Sequence, residues 1–531
     1  MMLTLAPVLV LLLLAGVIFT LYWSERGKRY AWLISIVGLN LIWLGLFALH
    51  WFQPAETVFP AWRPFEPLAA DRIVFRWDAS GWVYAVCLAG LLLAVVLTAP
   101  VRFRYNSNPL SWSAAITFTA VGLLSVLSGS PLALAISWTL LDVVEVVYVL
   151  LIIRDYRYRR EVLTSFALRL FSIGLLLGVI ILGRQSGSGF TFEATLAQNL
   201  VVLIAAVILR LGVLPLSLKY ETQLPLQNGL TSLMRIVGQI SGLALLTKLP
   251  AGLRVVDTSP LVVGGIVLLT LYGVLMWLLA ENEIAGRSFF GLFFSGLAIL
   301  SALNGNAPLS AVWGVALICW GGMIYLYTVR SQRLMILMAA ALLSFSGLPF
   351  TILSAGWQAV AWNAGWVILL AGMWIMLIAG FVRLVFQERE SSRTFEPYIV
   401  TTYTLGLVVL LLSGWLSVFF GVEQGLRLGT WWGALIVFGI SVFLAQTALR
   451  RKQVEEISSL QSSWLQNVIL RSTAAISAFL GLNWLYAVLR SVFHAVQGLT
   501  RLLTVLFEGE GGVLWSVLLL VLLISIFGGV R

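Results

Sequence analysis

The sequence predicts an all-α protein that crosses a membrane many times. Three observations carry this. The 531 residues are 60% hydrophobic and only 10% charged, where a soluble domain has about 25% charged residues. The apolar residues fall in long runs, and a spanning helix needs about 20 of them. The runs do not alternate as porin strands do, and in lipid a helix satisfies its own backbone polar groups.

About sixteen such runs follow one another, roughly at 3–22, 30–52, 81–99, 112–128, 131–153, 162–183, 196–218, 228–249, 259–280, 286–304, 309–328, 333–354, 358–386, 398–420, 429–449 and 512–529. The first is too long, and too uncharged at its start, for a cleaved signal peptide, and is read as a spanning helix.

The charge pattern supports this count. Arg26, Lys28 and Arg29 follow the first run, Arg102 and Arg104 the third, and Arg154, Arg157, Arg159 and Arg160 the fifth. Arg330 and Arg333 follow the eleventh, and Arg450, Arg451 and Lys452 the fifteenth. The longest even-numbered loop, Gln53 to Ser80, has four acids against three bases. Basic loops stay in the cytoplasm, so the N-terminus is expected outside. The net charge of +11 is therefore read as membrane orientation, with the bilayer as a partner and nucleic acid excluded.

One stretch fits no simple span. Residues 454–507 are apolar but interrupted by Arg471, Asn483, Arg490, His494, Gln497 and Arg501. A single helix of that length would run roughly 80 Å at 1.5 Å per residue. Two readings stand: a lateral amphipathic helix on the membrane surface, or one more hairpin of spans. Glu508-Gly-Glu-Gly-Gly512 then precedes the last run. The two cysteines, Cys87 and Cys319, both lie in apolar runs, and His50 and His494 are far apart. They form no cysteine framework, iron–sulfur or zinc pattern, so no cofactor or metal is expected.

Ionisable groups inside spans are costly and point to function. The fifth run holds Asp142 and Glu145, three apart and on one helix face; the sixth holds Arg169, the seventh Arg210, and the eighth Arg235 with Gln239. Two acids and three bases in four successive helices form a candidate ion path. The plainer reading is a set of charges paired only to hold the bundle. Two runs also carry breakers: Arg210-Leu-Gly-Val-Leu-Pro215 in the seventh and Ser344-Phe-Ser-Gly-Leu-Pro349 in the twelfth, with Gly347 two residues before its proline. Proline removes a backbone donor and clashes with the preceding turn. Matched interrupted helices, five apart and so oppositely directed, are the mark of inverted repeats in transporters.

With these motifs the chain resembles the antiporter-like membrane subunits of respiratory complex I (NADH-quinone oxidoreductase) and of multisubunit cation/proton antiporters. From Arg210 to Lys248, Arg210 falls on the family's seventh-helix lysine, Pro215 on its proline, Thr231-Ser-Leu near its Ser-Ala, and Arg235 on the eighth-helix base. Leu342-Leu-Ser-Phe-Ser-Gly-Leu-Pro349 is similar to the family's twelfth-helix string LLSLAGIPP; Arg169-Leu-Phe and Ser186-Gly-Ser-Gly-Phe190 match the sixth helix and the loop after it.

The resemblance implies a prokaryotic inner-membrane subunit with its N-terminus outside. Other membrane subunits lie beside it, and redox chemistry, if the complex performs any, takes place elsewhere. It implies N-terminal helices over 1–111, repeats over 112–250 and 251–386, C-terminal helices over 387–453, and a lateral helix with a last span over 454–531. It also exposes departures. Thr139, after Trp138, stands where the family has glutamate, so Asp142 or Glu145 would serve instead; arginines replace the seventh- and eighth-helix bases; and Trp357 occupies the twelfth-helix lysine position. Arginine keeps its proton in proteins, so the expected path is degenerate. The function expected is a proton- or cation-translocating subunit with that degenerate path. The alternatives are a non-conducting scaffold or membrane partner of another uptake system, such as one for inorganic carbon, or a self-contained secondary transporter.

Overall fold

The computed structural model describes residues 4–59, 73–102, 109–152, 156–185, 192, 197–211, 229–250, 260–280, 283–348, 350–360, 364–385, 390–391, 395–422, 435–441 and 443, with isolated positions 491, 498, 517 and 521. The chain divides into two compact units, Met1–Ile457 and Ser458–Arg531. The description below is of the first.

The helices are α1 (Ala6–Tyr22), α2 (Glu25–Ala48), α3 (Ala79–Leu97), α4 (Pro109–Leu127), α5 (Pro131–Ile152), α6 (Tyr156–Gln185), α7 (Ala197–Arg210) and α8 (Leu230–Thr247). They continue as α9 (Pro260–Leu279), α10 (Glu283–Leu303), α11 (Ser310–Leu326), α12 (Gln332–Ser344), α13 (Ser354–Val360), α14 (Ala364–Val385) and α15 (Pro397–Gly421). The fold class is the one the sequence predicts, an all-α multi-pass membrane protein. Among the described residues ten stretches are long and apolar enough to cross a bilayer; α1, α7, α11 and α12 are shorter. The expected fifteenth run is described only at 435–441 and 443, which are helical. The lateral helix of 454–507 and the last span at 512–529 lie outside the described residues, apart from the isolated positions.

Several boundaries move outward from the apolar runs. α2 starts at Glu25, where the Ser24 hydroxyl accepts from Gly27 N at 3.3 Å. α6 starts at Tyr156 rather than 162. Arg26, Lys28 and Arg29, and Arg157, Arg159 and Arg160, all expected in loops, therefore lie at the starts of α2 and α6, because lysine and arginine are good helix formers and carry a helix past its apolar run. The segment expected as a plain loop after the second run contains an antiparallel hairpin, β1 (Ala55–Phe59) with β2 (Ile73–Trp77), in register Ala55↔Trp77 to Phe59↔Ile73. Gly129 N donates to Val74 O (2.8 Å) and Val74 N to the Ser130 hydroxyl (3.3 Å), so the hairpin rests on the α4–α5 turn.

The centre of the bundle is built by α3, α8, α10 and α11. All of α11, and α3 from Gly81 onward, are buried. Such helices are apolar on every side, as burial all round requires. α1, α2, α5, α6, α9, α14 and α15 surround them and turn large side chains such as Leu13, Leu41, Val147, Phe171, Leu268, Ile368 and Phe419 outward. Apolar attraction between helices is weak in lipid, so close packing of small residues matters more. At Gly90 on α3, a Cβ would lie 2.2 Å from the Ser413 hydroxyl of α15, and that hydroxyl accepts the Trp43 indole N–H at 2.9 Å. Only glycine lets the two helices approach this far.

Candidate functional site: a buried ion-pair cluster and a broken twelfth helix

α5, α6 and α7 each bring polar side chains to one interior point. Asp142 has no exposed surface, Arg210 is 2% exposed and Glu145 7%. Arg210 Nη1 lies 2.9 Å from Asp142 Oδ2 and donates to it. Arg169 Nη1 lies 3.7 Å from Asp142 Oδ1 and donates to Glu145 Oε2. Asp142 and Glu145 share a face at i, i+3, so one helix supplies both anions. The four charges sum to zero, as a cluster out of reach of water requires.

Arg210 is held on every side. Its Nε donates to the Ser241 hydroxyl at 2.8 Å and its Nη2 to the Trp138 carbonyl at 3.4 Å. The guanidinium stacks over the Trp138 ring, 4.5 Å from its centroid, a contact that strengthens when desolvated. The Trp138 indole N–H donates to Ser241 O at 3.0 Å, which closes the ring of contacts between α5, α7 and α8. Gln239 donates to Leu211 O at 3.4 Å and sits against α10 at Gly291, where a Cβ would come within 2.7 Å of its amide. Arg235 is partly buried on α8, one turn beyond Ser232.

The twelfth run is broken between α12 and α13. Gly347 has φ +79°, the left-handed conformation that suits glycine. Phe350 also has positive φ, at 60°, an outlier for a bulky residue. The break is sealed by indoles. Trp374 Nε1 donates to Ser346 O at 3.2 Å, Trp415 Nε1 donates to the Ser344 hydroxyl at 3.0 Å, and Ile352 N donates to Ser344 O at 3.1 Å. Trp357 lies against Gly347, where an added Cβ would stand 2.3 Å from its Nε1. Its ring meets that of Trp374 at 5.5 Å. Trp374 in turn packs on Trp313, Trp320 and Phe294, and Phe345 stacks on Trp320 at 5.5 Å. An aromatic core thus fills the interior between α10, α11 and α14.

The residues singled out in the sequence divide accordingly. Asp142, Glu145, Arg169 and Arg210 come together; Gln239 and Arg235 line α8; Gly347 and Trp357 meet at the second break. Pro215 and Pro349 lie outside the described residues. Three buried or partly buried bases escaped notice because they sit near the ends of apolar runs. Arg287 donates to Tyr325 O at 3.0 Å and to the Ser232 hydroxyl at 3.4 Å, Lys248 donates to Ser128 O, and Arg383 donates to Ala280 O. Their signal was a lone base inside or bordering an otherwise apolar segment.

The fold and this cluster define a multi-pass α-helical membrane protein with charges paired inside its bundle. Its fold is shared with chains of solved membrane complexes. A chain of the membrane-bound sulfane sulfur reductase, an archaeal respiratory membrane complex, superposes with TM-score 0.64 at 15% identity, over 97% of this chain and 99% of that one. A chain of the Mrp complex from Dietzia sp. DQ12-45-1b gives 0.61 at 15% identity, over 99% of this chain and 63% of that one. A chain of respiratory complex I from Thermus thermophilus gives 0.58 at 17% identity, over 82% and 99%. No protein-family model and no curated protein sequence matches.

Proposed function

We propose that this chain is a membrane subunit of a proton- or cation-translocating complex of the respiratory or antiporter type, and that its central path is interrupted. It belongs, on this reading, in a prokaryotic inner membrane with the β1–β2 hairpin outside, beside other membrane subunits, with 112–250 and 251–386 as its two repeats. Redox chemistry in such a complex would be carried by other chains.

The observation that carries the interruption is the fixing of Arg210. A relay group must exchange a proton near neutral pH or pass it along water. Arg210 holds its proton and is engaged by Asp142, Ser241 and Trp138 together. The second supporting feature is the aromatic core around Trp357, which offers an indole where the family has an ammonium.

Purifying the intact complex and identifying its subunits tests the assembly. The path is tested in proteoliposomes with Glu145→Gln. The expected result is unchanged coupled ion movement in an assembled complex, or loss of assembly without selective loss of transport. Selective loss of ion movement, with assembly and partner activity normal, would show a working path through Glu145.

A further inference from the structure

The two cysteines, on helices far apart in sequence, meet at the centre of the bundle. Cys87 lies near the middle of α3 and Cys319 near the middle of α11, and neither has any exposed surface. Both face one stretch of α15. The Cys87 thiol donates to the Ser417 hydroxyl at 3.2 Å and lies 3.7 Å from Ser413 O. An added Cβ at Gly414, the next residue, would stand 3.3 Å from Cys319 Sγ. The two thiols are within hydrogen-bonding reach of each other. Cys87 gives its own proton to α15, so its sulfur can accept from Cys319.

Two glycines let the helices come this close. Gly314 and Gly322 stand on either side of Cys319 along α11. A Cβ at Gly314 would lie 2.4 Å from the Tyr84 hydroxyl, and one at Gly322 would lie 2.7 Å from Leu91 Cδ1. Tyr84, Cys87 and Leu91 share one face of α3, at i, i+3 and i+7. The thiol pair therefore sits between two contacts at which α11 offers α3 no side chain. A disulfide demands such a crossing, with Cα atoms within about 7 Å. Gly414 also touches the break in the twelfth run. Its Cβ would lie 3.1 Å from Ile352 Cδ1, and Ile352 N donates to Ser344 O across the break.

We propose that Cys87 and Cys319 are a peroxide-sensitive dithiol, whose oxidation to a disulfide ties α3 to α11 beside the break in the twelfth run. The oxidant is a small neutral peroxide. One thiol, reacting as its thiolate, breaks the O–O bond, becomes a sulfenic acid and releases one water. The second thiol displaces the sulfenic oxygen, forms the S–S bond and releases a second water. Two electrons pass from the sulfurs to the peroxide, and both thiol protons leave in the waters. The neighbouring thiol thus intercepts the sulfenic acid before it goes on to the irreversible sulfinic acid. The bland role for the same residues is packing, as small core side chains with weak donors. This inference goes beyond the reading of the chain as a translocating subunit and does not depend on it.

The chain has only two cysteines, so its thiols report the reaction directly. Native membranes holding the full chain are treated with hydrogen peroxide. The chain is then denatured, its remaining thiols are blocked with a maleimide, and its peptides are read by mass spectrometry. Wild type should lose both thiols together, gain no oxygen, yield a Cys87–Cys319 cross-linked peptide, and recover both thiols with dithiothreitol. Thiols that stay free in the folded chain, or that are each oxidised to sulfinic acid without a cross-link, overturn the proposal. This arm needs no variant, so a substitution that fails to fold does not weaken it. The tie between the helices is read by thermal denaturation. Peroxide should raise the midpoint of wild type and leave that of Cys87→Ala where it was. A cross-linked wild type with an unchanged midpoint, or an equal rise in Cys87→Ala, overturns the claim that the bond ties α3 to α11.

Discussion

Arg210 on α7 and Asp142 on α5 form a direct ion pair, Nη1 to Oδ2 at 2.9 Å, with both side chains essentially inaccessible. The pair joins two helices through residues 68 positions apart in sequence. Arg210 then ties both to Ser241 of α8. A buried pair is held together by the cost of separating it, more than by net gain over apolar packing.

That asymmetry predicts the outcome of mutating the pair. Arg210→Met alone leaves Asp142 with only the more distant Arg169, and should destabilise the protein by about 3–5 kcal/mol. The double change Asp142→Leu with Arg210→Met should cost much less than the sum of the two. Unfolding in mixed detergent micelles measures both; equal or larger damage in the double variant would show that the pair is not a unit.

The break in the twelfth run predicts a steric and conformational penalty at one position. Gly347→Ala must place its Cβ against Trp357 Nε1 at φ +79°. A left-handed conformation alone costs about 1–2 kcal/mol for an L-residue. Gly347→Ala should therefore lower the thermal midpoint. Adding Trp357→Phe should recover only the steric part of the loss. Full recovery would mean that the backbone conformation is not strained.

Close helix approach predicts a similar sensitivity at Gly90. Gly90→Ala puts a Cβ onto the Ser413 hydroxyl and displaces the acceptor of Trp43 Nε1. Overpacking of this kind costs about 1–3 kcal/mol. Ser413→Gly in the same chain should restore part of it, as read by thermal denaturation.

Lys248 predicts a pH dependence of stability. Its pKa is lowered from 10.5 in the unfolded chain to about 8 in the fold. Between those values the unfolded chain binds more protons, so stability rises with pH through that window. The slope is at most about 1.4 kcal/mol per pH unit, less where solvent reaches the side chain. Below pH 8 the destabilisation is constant, and above 10.5 it is gone. Wild type should therefore gain on Lys248→Met from pH 8 to 10.5. Parallel curves for the two proteins would sink this assignment.

The charge asymmetry of the loops predicts orientation. In intact cells a cysteine introduced at position 70 should react with an impermeant reagent and one at position 158 should not. Labelling at 158 alone would invert the topology.

Helix number and class were legible in the sequence because lipid leaves the backbone few options: each apolar run must be a helix, and a charge inside a run is conspicuous. Asp142, Glu145, Arg169 and Arg210 could be singled out for that reason alone. So could Gly347, since the residues around it, Ser344 to Pro349, spell a breaker. The hairpin was not legible, because β1 and β2 are short and sit in a loop whose only constraint is to avoid the bilayer. Lys248 and Arg287 were not legible either. A base near the end of a run can snorkel to the surface at little cost, so sequence position does not tell whether it turns inward.

By itself, then, the sequence determined that this chain spans a membrane many times, and which helices carry charge and which carry breaks. These follow from local composition, which lipid reads one helix at a time. Only the tertiary structure decided that Asp142 meets Arg210 and that Glu145 meets Arg169. It also decided that Trp357 closes the break at Gly347 within an aromatic core, and that Lys248 faces inward beneath the hairpin. Those outcomes depend on the rotation and tilt of each helix against its neighbours. Rotation and tilt are set by small-residue contacts such as Gly90 with Ser413, between residues hundreds of positions apart.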